Sequence, residues 1–254
     1  MIKISKLPIE NSFLKITSKN NNLVKRFRSF KRGSSPKDKD FFCIEGTHLM
    51  EELIKSGKAP SKILVTEKWL RKNQNLNKKL HQSIINIVSE EVLASAISTI
   101  NPDGIAALVE ISSIPNYQFN SKDDFVLVLD RIQDPGNMGN LFRTALAAGV
   151  DAIFLAGGAY PLGQKVLRAS SGAVFHMPFL RFDGSGEEEI INSLFKSLSE
   201  LSNGGFKILS TSSHNKSSKK PSKPYWEIDW SKRTALILGN EGQGIHKKIQ
   251  EAFN

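Results

Sequence analysis

Cysteine is nearly missing from these 254 residues: Cys43 stands alone, which excludes an internal disulfide and fits a reducing compartment. No stretch approaches the ~20 consecutive apolar residues of a membrane-spanning helix. The opening Met1–Lys6 lacks the apolar run of a secretory signal, so a cytoplasmic protein with no membrane partner is expected. The five histidines (His48, His81, His176, His214, His246) are scattered without ligand spacing, and no cysteine pair supports them. Neither a structural nor a catalytic metal is expected. Acidic residues are scarce near the start: residues 1–40 hold Glu10, Asp38 and Asp40 against eleven Lys or Arg, a net +8 out of +10 for the whole chain.

A patch of that sign attracts a polyanion by releasing its counterions. Lys25, Arg26, Arg28, Lys31 and Arg32 form its densest part and are the candidate RNA contacts. Phe27 and Phe30 interleave with them at helical spacing, and the core face of an amphipathic helix is the favoured reading over base stacking. At 39% hydrophobic and 24% charged residues the chain can bury a sizeable core, in one large domain or two of ordinary size.

Patterning predicts a helix over 17–33, opened by Thr17 or Ser18 and stopped by Gly33-Ser34-Ser35-Pro36. Strands follow at 41–44, 62–66, 84–88 and 105–111, with helices at 47–56, 67–82 and 89–98. This makes a compact αβ domain over 1–114. The polar, turn-rich 115–124 reads as a linker. A second domain, 125–254, opens with the apolar run 125–129, suited to a strand buried on both faces of a parallel sheet. Helices at 138–148, 163–171 and 187–201 alternate with strands at 152–155, 174–178, 207–211 and 234–238. The expected class is α/β, with helices on both faces of the sheet. The low-complexity, basic segment 212–224 reads as a loop.

Two segments that follow strands carry candidate chemistry. In the first, Asp134-Pro135-Gly136 turns the chain and Asn137 is suited to cap the next helix. On that helix Met138, Leu141, Ala145 and Leu146 form an apolar side. Arg143 falls beside Gly139, Asn140 and Ala147, a small and polar side that a backbone or ligand could approach. The second segment, Gly239-Asn240-Glu241-Gly242-Gln243-Gly244-Ile245, has three glycines that bring backbone close to a ligand and offer amide donors. Its order, G-x-x-G-x-G, is not that of dinucleotide folds, which disfavours a nucleotide-dependent dehydrogenase.

Asn137-x-Gly139-x-x-x-Arg143-Thr144-Ala145 resembles motif 1 of the SpoU (TrmH-like) RNA 2′-O-ribose methyltransferases of the SPOUT superfamily. Gly239-Asn240-Glu241-Gly242-x-Gly244-Ile245 resembles motif 2, and Arg168 to Ala173 with Pro178 the segment between them. Ile16-Thr17-Ser18-x-x-Asn21, Lys25-Arg26, Phe42-x-x-Glu45-Gly46 and Pro102-x-Gly104-Ile105 resemble the family's L30e-like substrate-binding domain. Lys37–Asp40, where the family often has Arg and Gly, and Asp103 in place of Gln depart from its pattern.

The resemblance implies an N-terminal L30e-like αβ domain and a SPOUT α/β domain with a C-terminal trefoil knot, an exception to unknotted topology. It implies a homodimer, S-adenosylmethionine as cofactor, and RNA as substrate, rRNA before tRNA. Arg143 would act on the ribose hydroxyl, with Asn137 and Glu241 ordering the site. Thr211, Ser212, Gly239, Asn240, Gly242, Gly244 and Ile245 would hold the cofactor. A third motif, rich in Ser-Leu-Asn, is expected to thread the knot and complete the pocket; these 254 residues do not contain it. A non-catalytic RNA-binding relative therefore stands as an alternative, and a tRNA methyltransferase stands as the alternative on substrate.

Overall fold

The structure, a computed structural model, describes residues 13–31, 38–211 and 223–253; Arg32, Ser212 and most of the basic segment 212–224 lie outside the described residues. The chain divides into two compact units, residues 1–113 and 114–254.

The first unit runs β1 (Leu14–Ile16), α1 (Asn22–Ser29), β2 (Phe41–Glu45), α2 (Thr47–Lys55), β3 (Lys62–Val65), α3 (Glu67–Lys72), α4 (Gln74–Asn77), β4 (Ile85–Val88), α5 (Glu90–Ala96) and β5 (Ile105–Glu110). Its sheet has the order β1-β4-β3-β5-β2; β5 is antiparallel to both neighbours and the other pairs are parallel. Helix α1 starts later than expected because Asn21, not Thr17 or Ser18, caps it: its Oδ1 accepts the Leu23 amide at 2.8 Å. Val24, Phe27 and Phe30 enter the core, so these phenylalanines are packing residues. The stretch 67–82 breaks at Asn73, whose φ of −114° and ψ of 47° are not helical. Strand β1 is three residues long, too short to leave a periodicity.

Two carboxylates fix the loop that enters β5. The buried Glu45 accepts the amides of Ser98 and Thr99 at 2.8 and 2.9 Å and both their hydroxyls. Asp103 accepts the amide and hydroxyl of Thr47 at 2.7 and 2.6 Å. Gly104, at φ +114°, sits where a Cβ would lie 2.7 Å from the Thr66 hydroxyl and 2.8 Å from Trp69 Cβ. A side chain does not fit there.

The second unit runs β6 (Phe125–Asp130), α6 (Pro135–Ala147), β7 (Ala152–Ala156), α7 (Gln164–Ser170), β8 (Phe179–Phe182), α8 (Glu187–Asn203), β9 (Lys207–Ser210), β10 (Thr234–Leu238) and α9 (Lys247–Phe253). Its sheet is parallel throughout, in the order β8-β7-β6-β10-β9. Alternate residues of each strand face opposite sides. Val126, Val128, Phe154, Ala235 and Ile237 meet Ile191, Leu194, Leu198 and Leu201 of α8 and Ile249 of α9. On α6, Met138, Phe142 and Ala145 are buried and Phe142 meets Phe179 edge-on at 5.5 Å.

The apolar side of α6 is therefore rotated from the expected one: Phe142 takes the core place, while Leu146 is 39% exposed. The strand expected at 174–178 is displaced to Phe179–Phe182. Ala173–Phe175 forms a single helical turn after left-handed Ser171 and Gly172, and Pro178 has no N–H for a ladder. Residues 115–124 pack onto the second unit, where Tyr117 joins its core cluster and donates to Asp123 Oδ2 at 2.8 Å. No helix among the described residues is long and apolar enough to cross a membrane.

Candidate active site at the ends of β6 and β10

From β6 the chain winds one way through β7 to β8, then returns to the other side of the sheet for β9 and β10. β6 and β10 thus meet where strand order reverses, and the crevice outside their carboxyl ends is the place where open α/β sheets bind ligands. Both candidate segments leave from there, with Leu129 and Leu238 in register.

Asp134, rather than Asn137, caps α6: its Oδ1 accepts the Asn137 amide at 2.7 Å, with Pro135 at the first helical position. That leaves the Asn137 side chain free to leave the helix, and its Nδ2 donates to Glu241 Oε1 at 3.1 Å. The same carboxylate accepts the amides of Gln133 and Asp134, each at 3.1 Å. One acid of the second loop thus gathers the turn that starts α6.

Glu241 is exposed, and the partial desolvation of its carboxylate works against ionisation. The amides of Gln133, of Glu241 itself and of Asp134, with the Asn137 carboxamide, outweigh it and bring the pKa from 4.5 to about 2. At that value the carboxylate accepts hydrogen bonds and is a poor proton acceptor. Because the folded pKa lies below the unfolded one, the stabilisation is present above pH 4.5 and fades as pH falls toward 2. Melting temperatures of the wild type and Glu241→Gln are expected to converge across that window and to stay apart above it. Parallel curves would show that this carboxylate does not titrate with folding.

The glycine order of the second loop follows from its geometry. A Cβ on Gly239 would lie 2.3 Å from the Ile245 amide nitrogen, because the loop closes on itself there. Asn240 and Gly244 exchange both backbone hydrogen bonds, at 3.0 and 2.9 Å. Asn240 Oδ1 accepts the amides of Gly242 and Gln243, and its Nδ2 donates to the Arg131 carbonyl at 2.8 Å. The amides of residues 240, 242, 243 and 244 are spent inside the loop, so the expected set of outward donors is not present. Ile245 is buried in the core beside α9 and can offer a ligand backbone only.

Arg131 carries no local signal in the sequence and is central here. It adopts φ +56°, a left-handed conformation that costs a side-chain-bearing residue about 1–2 kcal/mol. Its guanidinium lies on the fully buried Asp130 (Nε–Oδ1 2.8 Å), on Glu187 Oε1 and Gln243 Oε1 (3.0 Å each) and near the Gly244 carbonyl (3.4 Å). Asp130 also accepts the His246 amide at 2.6 Å. This cluster ties the ends of β6 and β10 to the start of α8.

Arg143 is exposed on α6, and its side chain has no hydrogen bond or ion pair among the described residues. It lies six residues beyond Asn137, about 9 Å along the helix axis. Gly139 is packed against α7, where a Cβ would fall 2.4 Å from Ala169 Cβ and 2.7 Å from the Ser170 amide. A backbone does approach the small side of α6, on the side of Gly139. Thr211, exposed at the end of β9, gives its amide and hydroxyl to the Ile237 carbonyl at 3.1 and 3.0 Å. Leu209, Leu236 and Leu238, on the sheet face opposite the α8 core, are half-buried.

Of the basic residues on α1 and just after it, three are held by the fold. Arg26 pairs with Asp38 (2.8 Å) and lies 4.2 Å over the Phe41 ring. Arg28 donates to the Ser95 carbonyl and hydroxyl and to the Lys19 carbonyl, each at 3.0 Å. Lys31 donates to the Ala94 carbonyl at 3.1 Å. Lys25 is exposed, with no side-chain partner among the described residues. No group of acidic, histidine or cysteine residues that could hold a metal ion occurs among the described residues.

Comparison with known proteins agrees with this architecture. Residues 124–254 match the SpoU rRNA Methylase family, and residues 21–107 the MRM3-like substrate binding domain. The chain belongs to the SpoU rRNA methylase family. An uncharacterized tRNA/rRNA methyltransferase of Synechocystis is 32% identical over 252 residues, covering 96% of this chain and 84% of that protein. The 23S rRNA (guanosine(2553)-2′-O)-methyltransferase of Bacillus subtilis is 32% identical over 238 residues, covering 93% and 86%. Among solved structures, an RNA 2′-O ribose methyltransferase superposes with a TM-score of 0.72 at 25% identity, covering 94% and 86%. An AdoMet-bound rRNA methyltransferase from Sinorhizobium meliloti superposes with 0.75 at 24% identity, covering 95% and 86%, a likeness of fold.

Proposed function

We propose that the protein is a 2′-O-ribose methyltransferase acting on 23S rRNA in the cytoplasm, with S-adenosylmethionine as donor; the homodimer and the knotted C-terminal region are proposed for a form that carries the third motif. The observation that carries the reading is the Asn137–Glu241 contact, which joins motif 1 to motif 2 at the switch point of the sheet. The 32% identity to the Bacillus 23S rRNA methyltransferase supports the substrate and the ribose oxygen; the Synechocystis relative keeps tRNA as the second candidate.

The residues present fit the donor better than a phosphate-bearing nucleotide. Loop 239–245 has turned most of its amides inward and keeps Glu241 ionised at neutral pH, poor surroundings for an anion and compatible ones for a sulfonium. Leu209, Leu236 and Leu238 supply a half-buried apolar surface of the kind a nucleoside covers. Thr211 and the backbone of Gly239, Asn240, Gly242, Gly244 and Ile245 are the groups that would hold it, the loop residues through carbonyl oxygens and close contact since the amides of 240, 242 and 244 are spent within the loop.

The donor supplies a methyl group on positively charged sulfur, already electrophilic, so the protein's task is alignment and easing proton loss from the hydroxyl. Arg143 does not act as a base, since a guanidinium keeps its proton in proteins. It holds a phosphate of the RNA next to the target and stabilises charge developing on the ribose oxygen. Glu241 and Asn137 keep the two loops in register. Labelled donor incubated with purified protein and rRNA or tRNA is expected to label rRNA at a ribose oxygen. RNA binding without transfer, and no calorimetric binding of the donor, would support a non-catalytic RNA-binding relative instead.

A further inference from the structure

A second surface lies at the opposite end of the same sheet. Tyr225 and Trp226 are 72% and 71% exposed and Trp230 42%, far more than such large rings usually show. They are held in place all the same. Residues Tyr225–Glu227 form a helical turn, Tyr225 and Trp226 meet edge-on at 5.1 Å, and Trp230 Nε1 donates to the Tyr225 carbonyl at 2.9 Å. Trp230 leans on Phe125 at 6.2 Å.

Phe125 opens β6 and pairs in register with Thr234 at the start of β10, itself beside Lys207 at the start of β9. The rings therefore flank the amino ends of strands whose carboxyl ends carry Glu241 and Asn137. Five residues of β10 separate the two ends, about 17 Å at strand rise. Exposed Lys207, Lys223 and Lys232 lie on this side. In sequence, the connection 211–233 carries six Lys or Arg against two acids.

Exposed aromatics among lysines favour nucleic acid over protein. Lysine is depleted where proteins pack together, whereas base stacking on aromatic rings beside backbone-binding cations is how single strands are held.

We propose that Tyr225, Trp226 and Trp230 form a stacking ledge for unpaired bases of the RNA substrate, a second contact remote from the transfer site. The inference rests on the proposed RNA substrate. Its test is titration of the full chain with labelled single-stranded oligouridylate, read by anisotropy and by quenching of the exposed tryptophans; Trp69 is buried and adds a constant background that stacked bases do not quench. Tyr225→Ala/Trp226→Ala is expected to weaken binding about tenfold or more, with an unchanged melting temperature because both rings are exposed. Trp226→Phe, which keeps a ring, is expected to stay within a few-fold of wild type. Equal affinity of wild type and double variant overturns the ledge alone, and so does a change confined to sedimentation, which would mark a contact between copies of this chain. Failure of the wild type to bind any RNA overturns the ledge and the proposed function together.

Discussion

Arg143→Ala is expected to lower methyl transfer by about 10²–10³-fold, the usual effect of removing one donor aimed at developing negative charge. The fold should scarcely register the change. Arg143 is exposed and makes no hydrogen bond or ion pair among the described residues, and such surface substitutions stay within about 0.5 kcal/mol. Affinity for RNA and for the donor should remain within a few-fold. Arg143→Lys should restore little, because a lysine cannot present the planar fork that grips a phosphate with two hydrogen bonds. Steady-state rates, binding isotherms and a melting curve for each variant separate the cases. Retained activity in the alanine variant would remove Arg143 from the chemistry, and joint loss of both affinities would make it a structural residue.

What could be read from the sequence depended on whether a residue's partner was local. The apolar run 125–129 identified itself as a buried strand, and Phe27 and Phe30 as core residues, because period and burial act along a single element. The cap of α6 lies three residues before the position the sequence favours: Asp134 and Asn137 are both good caps, and only the contact of Asn137 with Glu241, 104 positions away, decides between them. The basic helix was legible as a charge excess. That Arg26, Arg28 and Lys31 are largely engaged with Asp38, Ser95 and Ala94 depends on packing against α5 and the start of β2, which no local pattern reveals. The glycines of residues 239–244 were legible as close approach, but what approaches is the loop's own backbone. Arg131 was invisible because its partners Glu187, Gln243 and Gly244 come from three other places in the chain.

That last residue carries the second large expectation. Arg131→Ala would leave Asp130, with no exposed surface, facing only the His246 amide among the described residues. Removing one partner of a buried pair costs about 3–5 kcal/mol, since the remaining charge is stranded. For a chain of this size, roughly 2–4 °C per kcal/mol makes the expected fall in melting temperature about 10 °C. Relief of the left-handed strain at position 131 offsets little, because alanine pays nearly the same cost at φ +56°. Arg131→Gly separates the two effects: it relaxes the backbone but still strands Asp130, so it should lie slightly above alanine and well below wild type. Asp130→Asn/Arg131→Gln removes both charges and should lose less than the two single changes together, the sign of coupling between neighbours. Additive losses, or a melting temperature for Arg131→Ala within a degree or two of wild type, would show that the Asp130 pair does not hold the ends of β6 and β10 together.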